Sequence, residues 1–133
     1  ACRTRYGNCT DYHALFIALV QAMGIPAHFD IGFPLPPNHA EGIIAGYHCW
    51  AHYYLPGQGW VPVDVSEADK RQELKDYFFG THDPNRVKFT TGRDLWLVPR
   101  QKGEPLNYFI YPYVEVDGIP HDKMTLRFSF GDL

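Results

Sequence analysis

The fold turns on Thr10-Asp11-Tyr12-His13-Ala14-Leu15-Phe16-Ile17-Ala18-Leu19-Val20-Gln21-Ala22-Met23, followed at once by Gly24-Ile25-Pro26. Within it Tyr12, Leu15, Phe16, Leu19, Val20 and Met23 recur at helical spacing, and that stripe predicts a helix over residues 10–23 with an apolar side to bury. Gly24 is placed to end the helix as its C′ residue, and Pro26 prevents resumption. Upstream, Gly7-Asn8-Cys9-Thr10-Asp11 reads as a tight turn into the first helical turn, with Asn8 or Thr10 as N-cap and Asp11 near the positive end of the dipole. Cys9 therefore stands at a helix N-terminus.

Working outward, residues 25–33 are apolar-rich and read as a strand. The proline-rich run that follows makes residues 34–46 a surface loop. Residues 47–55 read as an aromatic strand with His48, Trp50, His52 and Tyr54 on one face and Tyr47, Cys49, Ala51 and Tyr53 on the other. Pro56-Gly57-Gln58-Gly59 is a turn signal, and residues 60–65 read as the returning strand of a hairpin. Ser66-Glu67-Ala68-Asp69 resembles a capping box that opens a short helix ending before Gly80. Beyond it, residues 86–90, 95–98, 108–116 and 124–130 are strand-like runs separated by turns at Thr91-Gly92, Lys102-Gly103 and Asp117-Gly118. One helix followed by a mostly antiparallel sheet is an α+β pattern.

The 133 residues fit one domain, and an ordinary apolar and charged content disfavours disorder. A net charge of −3 with no basic cluster excludes a phosphate-binding stripe, so nucleic acid is not an expected partner. The longest apolar stretch, 14–20, is far too short to span a membrane. The chain opens on Ala1 rather than Met, which reads as a piece of a longer chain, and compartment and oligomeric state are not legible. Three cysteines, Cys2, Cys9 and Cys49, cannot all pair within one chain, so at least one is a free thiol.

A thiol attacks as its thiolate, and a helix N-terminus stabilises that anion, which makes Cys9 the best-placed nucleophile. It needs a base to hold and return a proton, and a carboxylate to orient that base. Of seven histidines, His48 and His52 lie on a strand whose hairpin partner carries an aspartate, Asp64. If His48 faces Asp64 directly, Trp50 faces Pro62 and His52 faces Trp60, whereas the tightest hairpin, closing at Leu55 and Trp60, would part the candidates. The reading therefore expects a loop of about residues 53–59, or a bulge near Pro62.

Gly7-Asn8-Cys9-Thr10-Asp11-Tyr12-His13-Ala14-Leu15-Phe16, Gly24-Ile25-Pro26-Ala27, His48-Cys49-Trp50 and Gly59-Trp60-Val61-Pro62-Val63-Asp64 together resemble the transglutaminase-like core domain in its microbial cysteine protease branch. The likeness covers residues 6–65, and 66–133 are placed only as a continuation of the sheet. The resemblance implies a papain-like fold, with a nucleophile helix on an antiparallel sheet or small barrel. It also implies a catalytic triad of Cys9 as nucleophile, His48 as acid and base, and Asp64 as the imidazole's orienter. The reaction implied is thiol-dependent acyl transfer on an amide of a protein or peptide, released to water or to an amine. Animal transglutaminases carry Trp directly after the nucleophile, where this chain has Thr10, so the hydrolase-like members are nearer. One oxyanion donor is expected to be the backbone N–H of Cys9.

Against these stand blander readings. Cys9 alone reads as packing, and His48 with Asp64 as a partly buried strand pair. The competing functions are a non-catalytic interaction domain that keeps the fold, and peptide:N-glycanase-like chemistry, whose accompanying zinc-binding cysteine pairs are absent here. His52 is left as substrate-lining or structural, Trp50 and Trp60 as core or cleft wall, and Cys49 as packing on the face opposite His48. Asn8-Cys9-Thr10 matches a glycosylation pattern by coincidence. His39 with Glu41, and His82 with Asp83, lack the ligand spacing of metalloenzymes, so neither cofactor nor metal is expected.

Overall fold

The computed structural model describes residues 6–37 and 39–131; Cys2, expected as an exposed thiol, and Asn38 lie outside them. Helix α1 (Cys9–Ala22) begins one residue before the expected start. Asn8 is its cap: the Asn8 side chain accepts from the Asp11 N–H at 3.2 Å, and the Asp11 carboxylate accepts from the Asn8 N–H at 3.0 Å. This reciprocal box satisfies two of the amides a helix start leaves open, and it occupies the side chain that the glycosylation pattern would need. Gly24 ends the helix at φ 80°, a left-handed conformation open to glycine at little cost.

Four antiparallel strands form the main sheet in the order β4-β3-β1-β5, with β1 (Ala27–Pro34), β3 (His48–Leu55), β4 (Gly59–Val63) and β5 (Arg86–Thr91). The sheet is open rather than closed into a barrel. In the hairpin Leu55 pairs with Gly59 and Ala51 with Val63, so the connection is the three residues Pro56-Gly57-Gln58 and there is no bulge at Pro62. Continued one step, this register sets Asp64 beside Trp50 and two residues from His48, on the same side, which neither expected register described. Gly32 lies where β1 and β5 shift register, and an added Cβ there would come within 1.9 Å of the Val87 carbonyl oxygen. Only glycine permits that approach.

The core lies between α1 and one face of the sheet, where Phe29, Ile31, Phe33 and Cys49 are buried with Ile110, and Cys9, Ile17 and Tyr47 pack against them. The buried side of α1 is therefore Cys9, His13, Phe16, Ile17 and Val20, while Leu15, Leu19 and Met23 of the expected stripe are exposed. The helix is apolar around most of its girth, so its period alone does not choose a face.

Three further departures have physical causes. The loop over 34–46 contains a short strand, β2 (Glu41–Ile43), paired with β8 (Ser129–Gly131). Helix α2 (Val65–Lys70) is capped by Asp64 rather than Ser66, and after a 3-10 turn and α3 (Lys75–Phe78) the chain leaves helix before Gly80, as expected. Of the strand-like runs after residue 91, Leu95 only bridges to Leu106, and 108–116 keeps only β6 (Glu115–Val116), which turns back through Asp117-Gly118 into β7 (Ile119–Pro120). Those runs are apolar because they cover the core: Ile110 is buried, and the Phe128 ring lies 4.8 Å from that of Phe33. Pro99, Pro105 and Pro112 break the ladders they would otherwise form. No helix among the described residues is long and apolar enough to cross a membrane.

Candidate active site

Three element ends meet at one place. Cys9 is the first residue of α1, His48 the first of β3, and Asp64 follows the last residue of β4. The His48 Nε2 lies 2.7 Å from Asp64 Oδ2, which leaves Nδ1 as the nitrogen available to the Cys9 thiol. Asp64 is wholly buried and fully engaged. Its Oδ1 accepts from the Ser66 hydroxyl at 3.0 Å and the Glu67 N–H at 3.1 Å, and its Oδ2 accepts from His48 and from Arg86 Nη1 at 3.1 Å. Capping α2 and orienting His48 are thus done by one carboxylate, fixed from four directions.

The thiol of Cys9 is lowered from its ordinary value to about 4. A hydrogen bond from the Cys49 thiol contributes most; burial opposes it, and hydrogen bonding and charge from His48 add to it. Cys49, which donates a hydrogen bond to that thiolate and is itself buried, is pushed far upward and stays a thiol. Burial disfavours charge on His48, but hydrogen bonds to Asp64 and Cys9 outweigh it and raise His48 to about 9. Burial likewise opposes the Asp64 carboxylate, and the His48 hydrogen bond overcomes it and holds the carboxyl well below its usual range. Near neutral pH the site therefore contains a thiolate, an imidazolium and a carboxylate in a row.

His13 locks this arrangement from inside. Its Nδ1 donates to the Cys9 carbonyl at 2.7 Å, so its Nε2 is the acceptor for the Val65 N–H at 3.2 Å. That tautomer is neutral, in keeping with the lowering of its pKa by burial, so the 3.6 Å approach of Nε2 to Asp64 Oδ1 is not an ion pair. His13 joins the nucleophile's turn to the start of α2. Arg86 also covers the Trp50 ring at 4.9 Å, holding the floor under Asp64. A cleft of about 460 Å³ opens beside His48, lined by Tyr47, Ile44 and Pro36 with Lys70, Arg71 and Arg86; of the three expected site residues only His48 lines it.

Residues 1–65 match the family model of the transglutaminase-like superfamily. Over that stretch the chain is similar to a transglutaminase-like core domain. An uncharacterized protein of Haemophilus influenzae (strain ATCC 51907 / DSM 11121 / KW20 / Rd) is 35% identical over 144 residues, a match that takes in 86% of this chain and 39% of that protein. The chain thus spans well under half of that relative's length, and no solved structure matches. Cysteine-based catalysis is the chemistry this superfamily suggests.

Of the expected trio, His48 and Asp64 are in direct contact at 2.7 Å and Cys9 stands at the neighbouring helix start, whereas the Nδ1 of His52 lies 2.9 Å from Asp30, on the β1 side. Trp50 is core, and Trp60 is half exposed against Tyr54 and His28. Cys49, His13 and Arg86 were missed. Alternation correctly puts Cys49 on the face opposite His48, but that is the face α1 covers, so the nucleophile meets both. Arg86 lies outside the motif-bearing stretch and carries no local signal.

Proposed function

We propose that the protein is a thiol-dependent acyl transferase acting on amides of proteins or peptides, with Cys9 as nucleophile, His48 as acid and base and Asp64 as the residue that orients and charges His48. The observation that carries this reading is the 2.7 Å pair of His48 and Asp64 beside a thiol that Cys49 and His48 together lower to about 4. Thiolate attack forms the C–S bond as the carbonyl becomes an oxyanion, and the Cys9 N–H, unpaired by the helix at its first position, is aimed at that charge. Collapse breaks the C–N bond while His48 gives its proton to the departing amine, leaving a thioester. Water or an amine then attacks, His48 takes its proton, and the thiolate leaves. Release to water is favoured here, because Thr10 stands where animal transglutaminases carry Trp.

Incubation with a library of amide acyl donors, with and without a primary amine acceptor, and intact-mass detection of a thioester tests this. An adduct on Cys9 that disappears in Cys9→Ala and accumulates in His48→Ala only slowly is the expected outcome. Failure of every donor, together with Cys9 alkylation no faster than that of an ordinary thiol at pH 6, would return the domain to an interaction role.

A further inference from the structure

The sheet face away from α1 carries a second cluster that the chemistry above does not use. His28 and His52 are cross-strand partners on β1 and β3, and Asp30 follows His28 by two residues, so all three side chains share that face. Their rings are stacked with centroids 5.1 Å apart, and His28 is also held against Trp60 at 4.5 Å. Asp30 is wholly buried; its Oδ1 accepts from the Thr91 hydroxyl, while its Oδ2 has no hydrogen bond. That free oxygen faces His52 Nδ1 at 2.9 Å and His28 Nε2 at 3.6 Å. His52 Nδ1 is itself buried without a hydrogen bond despite the short distance, so its N–H is not directed at the carboxylate. Two buried polar atoms this close, with hydrogen-bond geometry unmet, are an arrangement a cation satisfies.

We propose that His28 Nε2, Asp30 Oδ2 and His52 Nδ1 are the ligands of a divalent transition metal, zinc foremost. The three atoms lie within 4.8 Å of one another. Zinc bonds of about 2.0 to 2.2 Å in a tetrahedron set ligand atoms roughly 3.3 to 3.6 Å apart, so closure needs only small rotations. Two imidazoles and one carboxylate leave a fourth position open, the pattern of sites that exchange a water. Thr91 on Asp30 Oδ1 supplies the outer hydrogen bond that fixes a ligating carboxylate. Lys88 Nζ, half exposed and 3.6 Å from Oδ2, is the charge the metal displaces. The sequence reading expected no metal because these ligands come from two strands in a register that spacing does not reveal.

Calorimetric titration with zinc chloride, in Cys9→Ala protein so that the nucleophile takes no metal, and cobalt absorption spectra test the site. One zinc per chain, a cobalt spectrum without a sulfur charge-transfer band, affinity at least about tenfold weaker in both His28→Ala and His52→Ala, and tighter binding in Lys88→Ala are expected. His28 is partly exposed, so its variant keeps the fold even if Asp30→Asn does not. Absence of saturable binding, a sulfur charge-transfer band, or affinity in either histidine variant unchanged from that of the parent protein overturns the proposal.

Discussion

At the scale of single residues, the ionisations set a window. Cys9 loses its proton near pH 4 and His48 keeps its proton up to about pH 9. Iodoacetamide labelling of Cys9 is therefore expected to rise with a midpoint near pH 4 and stay level through neutrality, while turnover on an amide falls above about pH 9 as the acid is lost. In a Cys49→Ala protein the thiolate loses a donor. A hydrogen bond to a charged group contributes about 1.5 to 3 kcal/mol, so the labelling midpoint should move up by about one to two pH units, and by less in Cys49→Ser, whose hydroxyl still donates. An unchanged midpoint in Cys49→Ala would show that His48 alone holds the thiolate. Cys9, His48 and Asp64 were legible in the sequence because each is a chemically distinctive residue within a motif. Cys49 and His13 were not, because a buried cysteine and a helical histidine look like packing until the partner elements are in place.

Among the elements, the least legible feature was the orientation of α1. Its apolar positions fit two stripes equally, and the deciding constraint is chemical: a helix that must turn Cys9 toward β3 also buries His13, Ile17 and Val20, about one, two and three turns on. Substitutions distinguish the two faces. Ile17→Ala should lower unfolding free energy by at least about 1 kcal/mol, whereas Leu19→Ala on the exposed side should change it by less than about 0.5 kcal/mol, both read from urea denaturation midpoints. Equal effects would mean that something covers Leu19 in solution. At the helix start, Asn8→Ala should cost about 1 kcal/mol by the loss of a cap. The hairpin itself was readable from its turn and aromatic alternation, but its register was not, since a one-residue change in loop length moves every cross-strand partner.

Over the whole molecule, the motif-bearing stretch is not structurally self-sufficient. The edge strand β5, Arg86 beneath Asp64, Phe78 and Ile110 in the core all come from beyond residue 65. A chain ending at Val65 is expected to show no cooperative thermal transition by circular dichroism and no rapid labelling of Cys9 at pH 6. Retention of both would mean that the second half only decorates the first. The α+β class and the sheet core could be read from the sequence. The organisation after residue 91 could not, because apolar runs that merely cover a core have the composition of strands that pair within one.

The turn Pro56-Gly57-Gln58 closes the far end of the β3–β4 hairpin, and Gly57 and Gln58 are exposed. With strands rising about 3.3 Å per residue, it stands about 23 Å from His48. It is therefore a natural anchoring point: a fluorophore, a short affinity peptide or a surface linker introduced at Gln58 would leave the thiol and its cleft facing freely outward, so that immobilised protein retains the access of protein in solution.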